Sequence, residues 1–143
     1  MEPLLVKANV GEAEDLFVKY CELLNTSICR DPGANTYLLQ DDLVNDLSQL
    51  WFVMCPNIVA SCITSVEVGD YGMKSLYIQY LSGRELELIM RRLPDLEIWA
   101  IHQGCSMIVA DVRKGLTRKL KNYGFEELYK VDALRTRIQK EID

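Results

Sequence analysis

The 143-residue sequence predicts a mixed α/β domain, an antiparallel meander followed by a parallel strand–helix–strand unit. Three observations predict it. Near Leu50 the apolar period changes from helical spacing to compact runs rich in β-branched residues. Gly69-Asp70-Tyr71-Gly72 sits between two such runs as a hairpin turn. Late in the chain a short basic segment closes on Gly124-Phe125, where glycine takes a left-handed cap without steric cost and the aromatic returns to the core.

The elements follow in order. Residues 4–10 alternate weakly and read as a first strand or a lead-in. In 12–24, Ala13, Leu16, Phe17, Tyr20, Leu23 and Leu24 give helical spacing with one buried face. Residues 25–35 carry Asn, Asp-Pro-Gly and Asn and read as a loop. Residues 37–50 read as a second helix, with Leu43, Leu47 and Leu50 on one side. Strands are expected at 50–55, 58–68 and 74–81, joined by Pro56-Asn57 and by the glycine turn. Residues 83–103 are helical in spacing but hold Pro94, which either kinks one helix or starts a second. A buried strand at 106–110, a helix at 115–123 and a last strand at 125–134 complete the domain, with 135–143 as a charged tail.

Bulk properties narrow the function. The length suits one domain, residues 1–143. A net charge of -5 disfavours generic nucleic-acid or membrane-surface binding. No apolar run approaches the roughly 18 residues of a membrane span, and Met1-Glu2-Pro3-Leu4 does not open like a signal peptide. The five cysteines form no C-x-x-C pair and several lie in apolar runs, which predicts free thiols in a cytoplasmic chain. His102 is the sole histidine, so no metal site is expected. Arg113, Lys114, Arg118, Lys119 and Lys121 read as a solvated helix face. Trp51-Phe52-Val53-Met54, if it forms an exposed edge, is a natural self-association surface.

Order and spacing together carry a resemblance over roughly residues 50–134. The pieces are Leu50-Trp51-Phe52, Tyr80-Leu81-Ser82-Gly83, Leu93-Pro94-Asp95-Leu96-Glu97-Ile98-Trp99-Ala100, Gly104-Cys105 and Arg113-x-Gly115-Leu116-x-Arg118-x-Leu120-x-x-x-Gly124-Phe125. The chain resembles the GNAT superfamily of acetyl-coenzyme-A-dependent N-acyltransferases, and looks most like the small GNAT-like proteins of tailed bacteriophages. The resemblance implies that Tyr80, Leu81, Ser82, Gly83 and Arg84 hold the cofactor, with backbone N–H groups at 80–82 polarising the thioester carbonyl. It implies a general base on the meander, for which Glu67 is the candidate.

The sequence also departs from that pattern. Where such enzymes carry a glycine-rich phosphate loop, this chain has Ser82-Gly83-Arg84-Glu85-Leu86-Glu87, with one glycine and two acids that repel a diphosphate. Where many carry an asparagine and a thiolate-protonating tyrosine on the final helix, it has Arg113 and Leu120. The sequence reading is therefore a GNAT-fold protein with a degenerate site, binding acetyl-coenzyme A weakly or not at all. It is expected to serve protein partners or self-association, in the host cytoplasm or in a phage particle. The alternative is an N-acetyltransferase acting on an unknown amine.

Overall fold

Leu50, Trp51, Phe52 and Val53 are all buried, so the strand that carries them is covered on both faces. Alternation explains how: Leu50 and Phe52 join one core cluster while Trp51 joins another. The computed structural model describes residues 2–29, 31–83 and 86–142. Its strands are β1 (Leu4–Lys7), β2 (Gln49–Met54), β3 (Ile58–Val68), β4 (Lys74–Gly83), β5 (Cys105–Arg113), β6 (Glu126–Lys130) and β7 (Arg135–Glu141). They form one sheet in the order β1-β2-β3-β4-β5-β7-β6. β1 to β4 pair antiparallel, β4 and β5 pair parallel, and β7 lies antiparallel to both β5 and β6.

Three helices cover one face: α1 (Val10–Tyr20), α2 (Asn25–Cys29) and α3 (Thr36–Val44). Ala13, Phe17, Leu24, Ile28, Leu39 and Leu43 pack there on Leu50, Phe52, Ile63 and Tyr80. The other main cluster gathers α4 (Leu86–Arg91), α5 (Leu93–His102) and α6 (Lys114–Lys121) through Met90, Leu93, Leu96, Ala100, Leu116 and Leu120. α6 buries Leu116, Thr117 and Leu120 and turns Lys114, Arg118, Lys119 and Lys121 to solvent as expected, but Arg113, expected on the same face, is the half-buried last residue of β5. No helix among the described residues is long and apolar enough to cross a membrane.

The structure corrects several boundaries. The expected charged tail is strand β7, placed between β5 and β6. Its charges conceal a period of two: buried Thr136 and Ile138 alternate with Arg135 and Arg137, which pair with Asp132 and Asp111, and Lys140 further along pairs with Glu97. The strand expected at 125–134 therefore ends at Lys130, and Asp132 turns the chain by accepting hydrogen bonds from the Leu134 and Arg135 N–H groups. The helix expected at 37–50 stops at Val44, because Gln49 already belongs to β2. The expected loop at 25–35 holds α2. Pro94 restarts a second helix rather than kinking one, lying in the first turn of α5. Trp51-Phe52-Val53-Met54 is not an exposed edge, since β1 pairs along β2.

Gly124 has φ +93° and closes α6. Phe125 N–H donates to Leu120 O and Gly124 N–H to Lys121 O, the paired bonds of a Schellman ending. Phe125 and Leu120 share one core cluster, supplying the accompanying apolar contact. A Cβ at Gly124 would also meet Lys140 Cε at 3.1 Å. Replacing Gly124 by Ala is thus expected to destabilise the fold by about 1 kcal/mol or somewhat more, read as a lower urea midpoint at unchanged m-value.

Candidate functional site

β4 and β5 pair from Lys74 and Cys105 to Ile78 and Ala110, and then part. β4 continues to Gly83 and β5 to Arg113 without meeting again. The parting coincides with a bulge. Thr64 opposes Ile78 and Ile63 opposes Tyr80, so Gln79 has no partner on β3. The extra residue turns the strand over: Leu76 and Ile78 pack in the α4–α6 cluster, whereas Tyr80 packs under α1–α3.

A cleft of about 900 Å³ occupies the fork. One wall is β4, with Gln79, Leu81, Ser82 and Gly83; the other is Asp111, Val112 and Arg113 of β5 with Leu116 of α6. Lys19, Tyr20, Glu22 and Ser27 close it from the helical side, and Arg135 lies at the start of β7. This volume is in the range of small-ligand and cofactor sites.

Asp111 is the anchor of the fork. Its carboxylate accepts the Tyr77 hydroxyl at 2.5 Å and the forked Arg137 guanidinium at 2.8 and 3.0 Å. Burial opposes its charge, but the hydrogen bonds from Arg137 and Tyr77 prevail and hold the carboxyl below its ordinary range. Burial and the Asp111 hydrogen bond push the Tyr77 hydroxyl up, and the bond to Asp111 raises Arg137 further. Arg137 also lies 5.5 Å from the rings of both Tyr77 and Tyr129. A second network ties the helical side: Tyr80 Oη donates to Asp31 at 2.6 Å, and Arg135 joins Asp31 at 3.5 Å to Asp132 at 2.9 Å.

The residues singled out from sequence separate. Leu81, Ser82 and Gly83 line the cleft, whereas the Tyr80 side chain turns into the core beneath α1–α3. Arg84 and Glu85 lie outside the described residues. Glu67 is exposed on β3, opposite Ser75 and bonded to the Ser65 hydroxyl at 2.8 Å, and does not line the cleft. Gly83 meets a packing demand as well, since a Cβ there would fall 2.5 Å from Ala60 Cα. Of the N–H groups at 80–82, Leu81's turns from β3 and donates to Ser27 Oγ at 3.2 Å. Alternation directs those of Tyr80 and Ser82 at β3.

Sequence reasoning missed Glu22, Ser27, Asp111 and Arg135. A carboxylate inside the mostly apolar run 105–112 was a usable signal for Asp111. Ser27 gave none, because its role depends on a contact 54 residues away. No disulfide joins the cysteines among the described residues; burial pushes the Cys62 thiol up to about 12 and raises Cys105 against the opposing charge of Lys74. Among the described residues no group of three or more His, Cys, Asp or Glu is placed to hold a metal.

No family model matches the sequence, and the comparison with curated proteins gives no match. Solved structures do match. An N-acetyltransferase from Staphylococcus aureus Mu50 aligns at TM-score 0.68 and 8% identity over 99% of each chain. A predicted acetyltransferase with acetyl-CoA from Clostridium acetobutylicum aligns at 0.67 and 17%, over 92% of this chain and 95% of that one. A GNAT family acetyltransferase from Elizabethkingia anophelis with acetyl-CoA bound aligns at 0.66 and 13%, over 98% of each. The chain has the GNAT fold.

Asp111 sets a pH dependence. Its carboxyl is lowered in the folded chain, so the stability it contributes is present above the unfolded value of about 3.9 and is lost as pH falls through the folded value. Asp111→Asn is expected to cost roughly 2–3 kcal/mol at pH 7, leaving Arg137 without its charge partner. It should also flatten the loss of stability below pH ~4. Urea unfolding of both proteins across pH 3–7 checks both effects.

Proposed function

We propose that this chain binds an acyl-coenzyme A thioester in the β4–β5 fork and transfers the acyl group to an amine. The fork itself carries the reading: two strands that pair for five positions and then enclose a cleft of about 900 Å³. The cleft's chemistry fits such a group. Lys19, Arg113 and Arg135 line it, and Asp111 is already neutralised by Arg137. The GNAT fold and the neighbours whose structures contain acetyl-CoA support the same reading.

In this reading the β4 edge at Leu81 and Gly83 holds the pantetheine arm, and Arg113 meets its anionic end. The bound thioester supplies the activated acyl carbon. Among the described residues, Glu22 is the lining carboxylate without an ion-pair partner, and it takes the proton of the incoming amine. Asp111 does not serve as that base, because its oxygens already accept from Tyr77 and Arg137. Leu120 is buried in the core, so α6 offers no hydroxyl at that position to the departing thiolate.

A second reading has a specific observation behind it. Glu87 sits in the first turn of α4, and Gly83 is already required for packing against Ala60. A diphosphate at this end of the cleft meets a carboxylate where the helix dipole would otherwise favour it. On that reading the fold is a non-catalytic scaffold used in assembly, for example in a phage particle.

Isothermal calorimetry with acetyl-coenzyme A separates the two. The transferase reading expects a micromolar dissociation constant and, at 100 times that concentration, about 2.7 kcal/mol of added stability. No heat and no melting shift at millimolar ligand leaves the scaffold reading. For Glu22→Gln, acetyl transfer across an amine panel should fall by about 10²-fold or more at pH 7 with cofactor affinity unchanged.

A further inference from the structure

We infer that the Ser27 hydroxyl is the hydrogen-bond donor this cleft presents to the carbonyl oxygen of a bound thioester. The inference rests on the acyl-coenzyme A reading and deepens it by assigning a residue to the oxyanion. Leu81 is the position among 80–82 whose N–H faces the fork, and that N–H is taken by Ser27 Oγ at 3.2 Å. A hydroxyl oxygen that accepts a bond still has its own proton to give. Among the described residues no acceptor takes that proton, and Ser27 lines the cleft.

The other hydroxyls of the lining are less suited. Ser82 Oγ is committed to the Leu23 carbonyl. Tyr20 lies with its ring edge-on to Phe52 at 5.5 Å and beneath Lys19 at 5.4 Å. On the α6 side the lining residue is Leu116. Ser27 is also held in place. It belongs to α2, which packs against β4, and the Ser82–Leu23 bond ties the preceding turn to the same strand.

The chemistry follows from the chain of bonds. Leu81 N–H donates to Ser27 Oγ, and Ser27 O–H donates to the thioester oxygen. Each bond polarises the next. When the amine attacks, negative charge grows on that oxygen, and a donor already in place is worth more then than in the ground state. Ser27 transfers no proton and forms no covalent bond.

Infrared spectroscopy of carbonyl-labelled acetyl-coenzyme A bound to the protein tests this. The carbonyl band should fall to lower frequency on the wild type, return to the free value on Ser27→Ala, and stay low on Ser27→Thr and Tyr20→Phe. Release of free thiol from the bound thioester should drop at least tenfold in Ser27→Ala, while affinity changes less than about threefold. If Ser27→Ala fails to fold by circular dichroism, Ser27→Cys, with its weaker donor, must move the band toward the free value. An unshifted band on the wild type, a band still low on Ser27→Ala, or one lost on Tyr20→Phe overturns the assignment to Ser27 alone. Failure of the wild type to bind acetyl-coenzyme A in calorimetry overturns the cleft reading itself, and this inference with it.

Discussion

The parting of β4 from β5 is the constraint on which the rest of the structure depends. A strand that leaves its neighbour keeps a row of N–H and C=O groups that need partners. On β4 the helical segment takes one of them, the Leu81 N–H, through Ser27 Oγ, and the Ser82 hydroxyl adds a bond of its own to the Leu23 carbonyl. At the root of the fork, Tyr77, Asp111 and Arg137 join β4, β5 and β7 through side chains just where the backbone ladder stops. The network braces the root of the fork with charge-assisted bonds, which are shorter and stronger than neutral ones. α2 and β7 are thereby more than packing elements: α2 accepts the open Leu81 N–H, and β7 pairs the buried Asp111 carboxylate.

Much of this architecture was legible in the sequence. The meander, the crossover through residues 86–102 and the Gly124-Phe125 ending rest on local signals: β-branched runs, a glycine turn, a left-handed cap. β7 was not legible, because Arg-Thr-Arg-Ile-Gln-Lys looks like a solvated tail until partners are known for its charges. Arg137 is strand-compatible because Asp111 waits 26 residues away. The fork was illegible for a similar reason. It arises from one unopposed residue, Gln79, in a strand whose composition gives no hint of a bulge. Candidates read from a strand's sequence, Tyr80 among them, therefore changed faces when the strand turned over.

The same turn-over bears on the phosphate loop. Counting glycines treats Gly83 as a remnant of a phosphate cradle. Its surroundings give another reason for glycine, with Ala60 and Val59 too near for any side chain. A single glycine there is thus weak evidence in either direction. Charge distribution is more informative than the net value of -5. Among the described residues five charged ones line the cleft; Asp111 is neutralised from behind by Arg137 and Arg135 is paired with Asp31 and Asp132, which leaves Lys19 and Arg113 against Glu22. Low-dielectric walls focus the field of such groups, so a globally acidic chain can still attract an anion at one point.

What the cleft lacks on α6 it offers from the opposite wall. Leu120 belongs to the apolar seam that meets Phe125, and a polar group there would have to leave the core that closes the helix. Among the described residues, the Tyr20 and Ser27 hydroxyls and the Glu22 carboxylate, which has no ion-pair partner, come instead from residues 20–27. That segment is joined to β4 by hydrogen bonds and to the sheet by Leu24 and Ile28. Chemistry placed there is held by the same contacts that satisfy the open strand edge. A substitution that loosens the segment therefore weakens fold and site together, whereas serine to threonine at position 27 keeps both the Leu81 bond and the hydroxyl donor.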